Sequence, residues 1–334
     1  AFAAAAAQAL RASEARMRVA LRALPDGDVS VCDFLEDAHG EPSIRLQVRV
    51  RKHADGVHLD YAGTAAQLDL PLNAVYGVTL SGVYYVLRAL TDPTIPMNAG
   101  IFAPISVRVP EGTLLNPRRP APVSGGNVET SMRNADLVLS AFAQLAPGRV
   151  PAQSGGSMNN VIMGGVDDDG GAWSFYETNG CGMGARPSAD GIDAIHAHMT
   201  NTLNTPIEAI ERDFPLRIVR YEFAPGTAGR GRYRGGCGLV RSLQLTRGTA
   251  TASLLADRHR LAPAGTAGGC AARPGSHYLL SGAERRELPA KTSFAFQRGD
   301  IIEVQTAGGG GYGPLRGRGA AATERDARDG IFDV

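Results

Sequence analysis

SGGNVETSMRNADLVLSAFAQLA, residues 124–146, decides how this chain is read. Val128, Met132, Ala135, Leu139, Phe142 and Leu145 recur at helical spacing, and Glu129 stands four residues before Arg133. Together they predict a helix over about 128–146 with one apolar stripe. Two glycines and Asn127 stand at its start. Unsatisfied N–H groups there suit a carboxylate, a phosphate or a developing oxyanion. The same residues also suit an ordinary N-cap after a bend, with Asn127 as the cap.

Around this helix the pattern changes period. Upstream, residues 2–24 read as a helix, SIRLQVRVRK (43–52) and GVHLDYAG (56–63) as strands joined by the HADG hairpin (53–56), and AVYGVTLSGVYYVLRAL (74–90) as a well-buried helix. APISVRVPEGTLLNP (103–117) reads as a strand entering a loop. Downstream, NNVIMGG, GAWSFYE, PLRIVRYEF, GLVRSLQLT, TASLLAD, SHYLLSG and DIIEVQTAG all read as strands between turns bearing Gly or Asp. The expectation is an α+β fold, rich in β-structure, with several long helices packed on antiparallel or mixed sheets. A division near residue 150 gives an α+β lobe over 1–150 and a β-rich lobe over 151–334.

Composition narrows the function classes. Thirty-four basic and 33 acidic residues are well mixed, which leaves no nucleic-acid footprint. No apolar run approaches the roughly 20 residues of a membrane span, so no membrane partner is expected. Four scattered cysteines without a CxxC pair argue against a zinc finger and a disulfide scaffold, and a reducing cytoplasm fits them. The chain starts at Ala1 inside a helical pattern and stops in ARDGIFDV, where another helix begins to show. Such ends suggest a piece of a longer polypeptide.

Several short stretches could carry chemistry. In DAIHAHMT (193–200) the alternation predicts a strand with His196 and His198 on one face. Their spacing of about 7 Å would suit one ion or one substrate. A metal needs a third ligand, and none lies three or four residues on. TPIE (205–208) has the form of a capping box with Pro206 at the first helical position. SGGSMNN (154–160) offers Ser157, Asn159 and Asn160 to an amide or imide, or is simply a turn. GRGRYRGGCG (229–238) and AGGGGYG (307–313) lack the Gly-Lys-Ser/Thr ending of a phosphate loop. Arg230, Arg232 and Arg234 could still clamp an anion, and Cys237 is either a nucleophile or a small buried residue.

GTAAQLDLPLNA, NAGIFAPISVRVPEGTLLNP, GGNVETSMRNADLVLSAFAQLAPGRVPA, GGSMNN, HMTNTLNTPIEAIERDFPL, GRGRYRGGCGLVR and AGGGGYG follow one another along nearly the whole chain. As an ordered set they resemble the hydantoinase B/oxoprolinase family. That family includes the B subunit of ATP-dependent N-methylhydantoinase, the C-terminal half of 5-oxoprolinase, and a subunit of acetone and acetophenone carboxylases. The resemblance implies a hetero-oligomer in which an A-type subunit or domain uses ATP to phosphorylate a small cyclic amide, and the B part completes hydrolysis. It also implies a divalent metal whose His- and Asp-bearing ligand motifs lie upstream of Ala1, outside this chain. Carried onto this sequence, the resemblance gives Asn127, Glu129, Thr130, Ser157, Asn159, Asn160 and Asn201 as substrate-side groups, and His196 and His198 as the residues nearest the chemistry. Ketone carboxylation and a non-catalytic scaffold that docks an A-type partner are the other readings.

Overall fold

A computed structural model describes residues 2–332 of the 334-residue chain. The chain divides into two compact units, one of residues 1–34 and 44–150, the other of residues 35–43 and 151–334.

In the first unit, α1 (Phe2–Arg22) is followed by β1 (Gly27–Leu35), β2 (Ile44–His53), β3 (Gly56–Asp60), α2 (Tyr76–Leu90), β4 (Ile105–Arg108) and α3 (Thr130–Leu145). The sheet runs β1-β2-β3-β4, with β2 and β3 antiparallel and β3 and β4 parallel. Strict alternation on β2 buries Ile44, Leu46, Val48 and Val50. Ala54, at φ 49°, turns the hairpin to β3. On α1 the Glu14 carboxylate accepts from Arg18 Nε at 2.9 Å.

Both α2 and α3 depart from their sequence readings. Helix α2 is buried along one face only, through Thr79, Gly82, Val83, Val86 and Leu87. Helix α3 has no single stripe: Thr130 to Leu139 are buried without a break, Arg133, Asn134 and Asp136 included. Polar side chains are tolerated there because they are partnered. Asn134 accepts a 2.7 Å hydrogen bond from the Tyr61 hydroxyl and donates to the Thr79 carbonyl, while Arg133 Nη1 lies 3.4 Å from Asp33.

The second unit contains β5 (Asn160–Val166), β6 (Ala172–Glu177), α4 (Ile207–Asp213), β7 (Leu216–Ala224), β8 (Gly238–Leu245), β9 (Thr249–Leu255), β10 (Ser276–Ser281), β11 (Glu284–Leu288), β12 (Lys291–Gln297), β13 (Ile301–Gln305) and α5 (Ala320–Arg328). One antiparallel sheet runs β12-β9-β5-β6 and another β11-β10-β13-β8-β7. They share one core, in which Met163, Phe175, Leu254 and Phe296 meet Leu243, Leu279, Ile302 and Val304. The architecture is therefore mixed α+β, with helices packed on antiparallel and mixed sheets.

Two local expectations fail. Residues 193–200 form no strand: Ile195 bridges Cys181, and the chain then turns through His198 at φ 57°. With no neighbour to pair beyond Ile195, the short alternation has no ladder to join, and the left-handed residue ends the common face of the two imidazoles. The TPIE capping box is also absent. Pro206 is the N-cap of α4 without a side-chain bond, and the Thr205 N–H donates instead to Glu177 Oε1. ARDGIFDV does not open the helix expected there: α5 ends at Arg328 and residues 329–332 are non-helical, while Asp333 and Val334 lie outside the described residues.

Candidate functional site

The residues YETNG, 176–180, leave the end of β6 and bond Asn159 and Asn160 directly and His196 through Thr202. The Tyr176 hydroxyl donates to Asn160 Oδ1 at 2.8 Å. Asn179 and Asn159 exchange amide-to-carbonyl bonds at 3.0 and 3.3 Å. Thr178 Oγ1 lies 2.7 Å from Thr202 Oγ1, and its carbonyl accepts from Asn204 Nδ2. Thr202 Oγ1 in turn stands 3.3 Å from His196 Nε2, with Thr200 Oγ1 3.5 Å from Nδ1. Loop 157–160 and the histidine loop are thus joined through one short segment. The sequence reading stopped the strand at Glu177 and missed Thr178, Thr200, Thr202 and Asn204. Threonines and asparagines in loops are too common to single out by type.

His196 is half-buried, and burial holds its imidazole below the ordinary histidine value, so it is neutral at pH 7. A neutral imidazole has one N–H and one lone pair, and hydroxyls can complement either tautomer. Behind this face lies a buried ion pair. Arg241 Nη2 is 3.0 Å from Glu177 Oε2, and its guanidinium sits 4.5 Å over the Tyr221 ring. Because Glu177 also accepts the Thr205 N–H, this pair fixes the segment that carries Thr202.

Asp190 and Asp193, close to the histidines in sequence, are structural. Asp193 Oδ1 accepts from Arg234 Nη1 and from the Cys237 N–H, each at 2.7 Å. Asp190 takes both Nη atoms of Arg318 at 2.9 and 3.1 Å. Burial pushes the Asp190 carboxyl up, yet the bonds from Arg318 and the Arg234 N–H, with their charges, bring it below the usual carboxylate range. Asp326 joins the same network through Arg234 and Arg318.

Ser157 and Asn159 are buried and committed to backbone. Ser157 Oγ accepts from the N–H of Asn159 and of Asp257, and Asn159 sits at φ 46°. Asn160 also donates to the Leu255 carbonyl at 2.6 Å. Asn201 is exposed.

The remaining candidates lie in the first unit. A 3-10 turn, Ser124–Gly126, precedes α3, which begins at Thr130. The N–H groups of Val128 and Glu129 both bond the Gly125 carbonyl, so two of the donors expected at an anion site are closed. Asn127 is exposed and is not the N-cap of α3; it closes the 3-10 turn through its backbone N–H, and the N-cap position is Glu129, without a side-chain cap. Thr130 is buried and donates its hydroxyl to the Leu72 carbonyl.

The glycine-rich loops are not phosphate cradles. A Cβ on Gly235 would stand 1.7 Å from the Gly309 carbonyl oxygen, and one on Gly309 2.0 Å from that of Met183. Backbone is packed on backbone, which is why glycine recurs in both motifs. Burial pushes the Cys237 thiol up to about 11, which rules out an activated nucleophile. Among the described residues no group of three or more His, Cys, Asp or Glu side chains could hold a metal ion. With both His196 nitrogens facing threonine hydroxyls, the donor set here does not fit a metal site.

With this geometry in view, the relatives can be placed. The hydantoinase B/oxoprolinase model matches residues 1–315. The chain belongs to that family. Within the family, the chain is 36% identical over 282 residues to 5-oxoprolinase 1 of Arabidopsis thaliana, which covers 84% of the chain and 21% of the plant protein. It is 32% identical over 339 residues to a putative D-/L-hydantoinase B-type chain of a Pseudomonas strain, covering 96% of this chain and 56% of that one. The chain spans about half the length, or less, of these relatives. Among solved structures, the ATP-dependent caprolactamase of Pseudomonas jessenii superposes with a TM-score of 0.86 at 26% identity, over 97% of the chain and 58% of the other. Acetone carboxylase shares the fold at a TM-score of 0.84 and 18% identity, over 96% of the chain and 50% of the other. No helix among the described residues is long and apolar enough to cross a membrane.

Proposed function

We propose that the chain is part of a B-type subunit for ATP-dependent hydrolysis of a cyclic amide of the hydantoin or 5-oxoproline class. It acts in a hetero-oligomer with an ATP-using A-type subunit or domain. One observation carries this reading: nearly the whole chain aligns both with a hydantoinase B-type chain and with an ATP-dependent caprolactamase, enzymes named for ring amides. The chemical logic agrees. An unstrained lactam is a poor electrophile, and phosphorylating its oxygen in the partner makes the ring carbon open to water.

In this chain the face formed by His196, Thr200, Thr202 and Thr178 is the part suited to the second step. The neutral imidazole accepts the proton of the attacking water, and the hydroxyls hold the ring in place in either tautomer. Asn201, which is exposed, supplies an amide group for the ring substituents, with His198 in the same loop.

The test is to supply the full-length protein and its A-type partner with ATP and, separately, hydantoin, 5-oxoproline and caprolactam. The expected products are a ring-opened acid and ADP, read by mass spectrometry. Carboxylation of acetone with bicarbonate, and no ring opening, would establish the carboxylase reading instead. Neither product would favour a docking scaffold.

A further inference from the structure

The arginines of GRGRYRGGCG have different fates. Arg234 is bound to Asp193 and Asp326, and the nearby Arg318 to Asp190 and Asp326. Arg232 lies over the Tyr233 ring. Arg230 has its Cζ 4.5 Å above the Phe332 ring and, besides an adjoining hollow that holds Arg234, Arg318 and Asp326, lines a cavity of about 250 Å³. Arg273 lines the same cavity, together with Ala228, Cys270, Ala271 and Phe332. No acidic residue lines it, among the described residues.

The walls are held by backbone. Cys270 N–H donates to the Arg230 carbonyl at 2.7 Å, Arg273 N–H to Thr227 at 2.8 Å, and Gly226 N–H to Ile331 at 2.8 Å. Three chain segments are therefore fixed side by side, and Arg230 and Arg273 both line the hollow beside them. Two like charges on one concavity, with no acidic residue among its described lining, favour the entry of an anion. The Phe332 ring and the alanines give the same hollow an apolar side.

We infer that this cavity binds a small organic carboxylate, its carboxylate held by Arg230 and Arg273 and its apolar end against Phe332. The site is independent of the His196 face and of the activity assigned to it.

The experiment is calorimetric titration of the full-length protein with benzoate, benzyl alcohol and inorganic phosphate. Benzoate should saturate one site, more tightly than phosphate, and benzyl alcohol should not bind. Arg230→Gln and Arg273→Gln should each weaken benzoate by about tenfold, with Tm unchanged because both side chains are exposed. Equal affinity in the double variant, or benzyl alcohol binding as tightly as benzoate, overturns the site. Phosphate binding more tightly than benzoate overturns the carboxylate assignment.

Discussion

Two histidine environments in the second unit have the same sign of perturbation and opposite surroundings. His196 is half-buried in a turn, with threonine hydroxyls near both ring nitrogens. His259 and His277 stack edge to face, ring centroids 4.3 Å apart. There His259 Nε2 and His277 Nδ1 are buried without a hydrogen-bond partner. Burial holds all three below the ordinary value, His259 at about 4 and His277 well below 6.5. A depressed histidine is therefore not by itself a site. Access and polar company separate a group that can meet substrate from one that fills a core.

The largest effect expected from breaking this contrast is on the support of the His196 loop. A Cβ on Gly236 would stand 1.9 Å from the Ile192 carbonyl oxygen, in backbone that cannot swing aside. Gly236→Ala should cost more than about 4 kcal/mol and leave little soluble protein, measured by expression and chemical denaturation. Next comes the buried pair behind the loop. Glu177→Gln strands the Arg241 charge and should lower stability by about 3–5 kcal/mol in urea titration, whereas an apolar replacement of both partners should cost less.

The stacked pair should reveal itself through pH. Above the unfolded histidine value of 6.5 the rings are neutral in both states and add no pH dependence. As pH falls, the unfolded chain takes up protons that the folded His259 refuses until about 4. Stability should thus decline by roughly 3 kcal/mol over that window from His259 alone. His259→Leu should flatten this acid limb, and an unchanged limb would show that other groups cause it. The smallest effect is at Asn127. Exposed and not the N-cap of α3, it should change stability by less than about 0.5 kcal/mol on replacement by Ala, read by thermal melting.

How much of this was legible in the sequence depends on what stabilised each part. The long helices and most strands declared themselves because burial of one face imposes a period. Strand β1 was hidden behind the turn signal of PDGD, and β11, ERREL, carries charges on an exposed edge. The left-handed turn at His198 has no periodic signature, so HAH read as a strand. Helix α3 misled in another way: its polar residues are buried against partners more than 50 positions away, as Asn134 is against Tyr61. The candidate site was half visible. Its histidine stood out by type, while the segment that joins it to Asn159 and Asn160, YETNG, emerged only from the hydrogen bonds.

The central claim is that the His196 face takes part in opening the ring, and it is tested by comparing wild type with His196→Ala in the full complex. Product formation from hydantoin, 5-oxoproline and caprolactam with ATP should fall about a hundredfold in the variant, with the melting temperature and ATP-dependent substrate activation by the partner unchanged. Ring opening at the wild-type rate in His196→Ala would contradict the assignment.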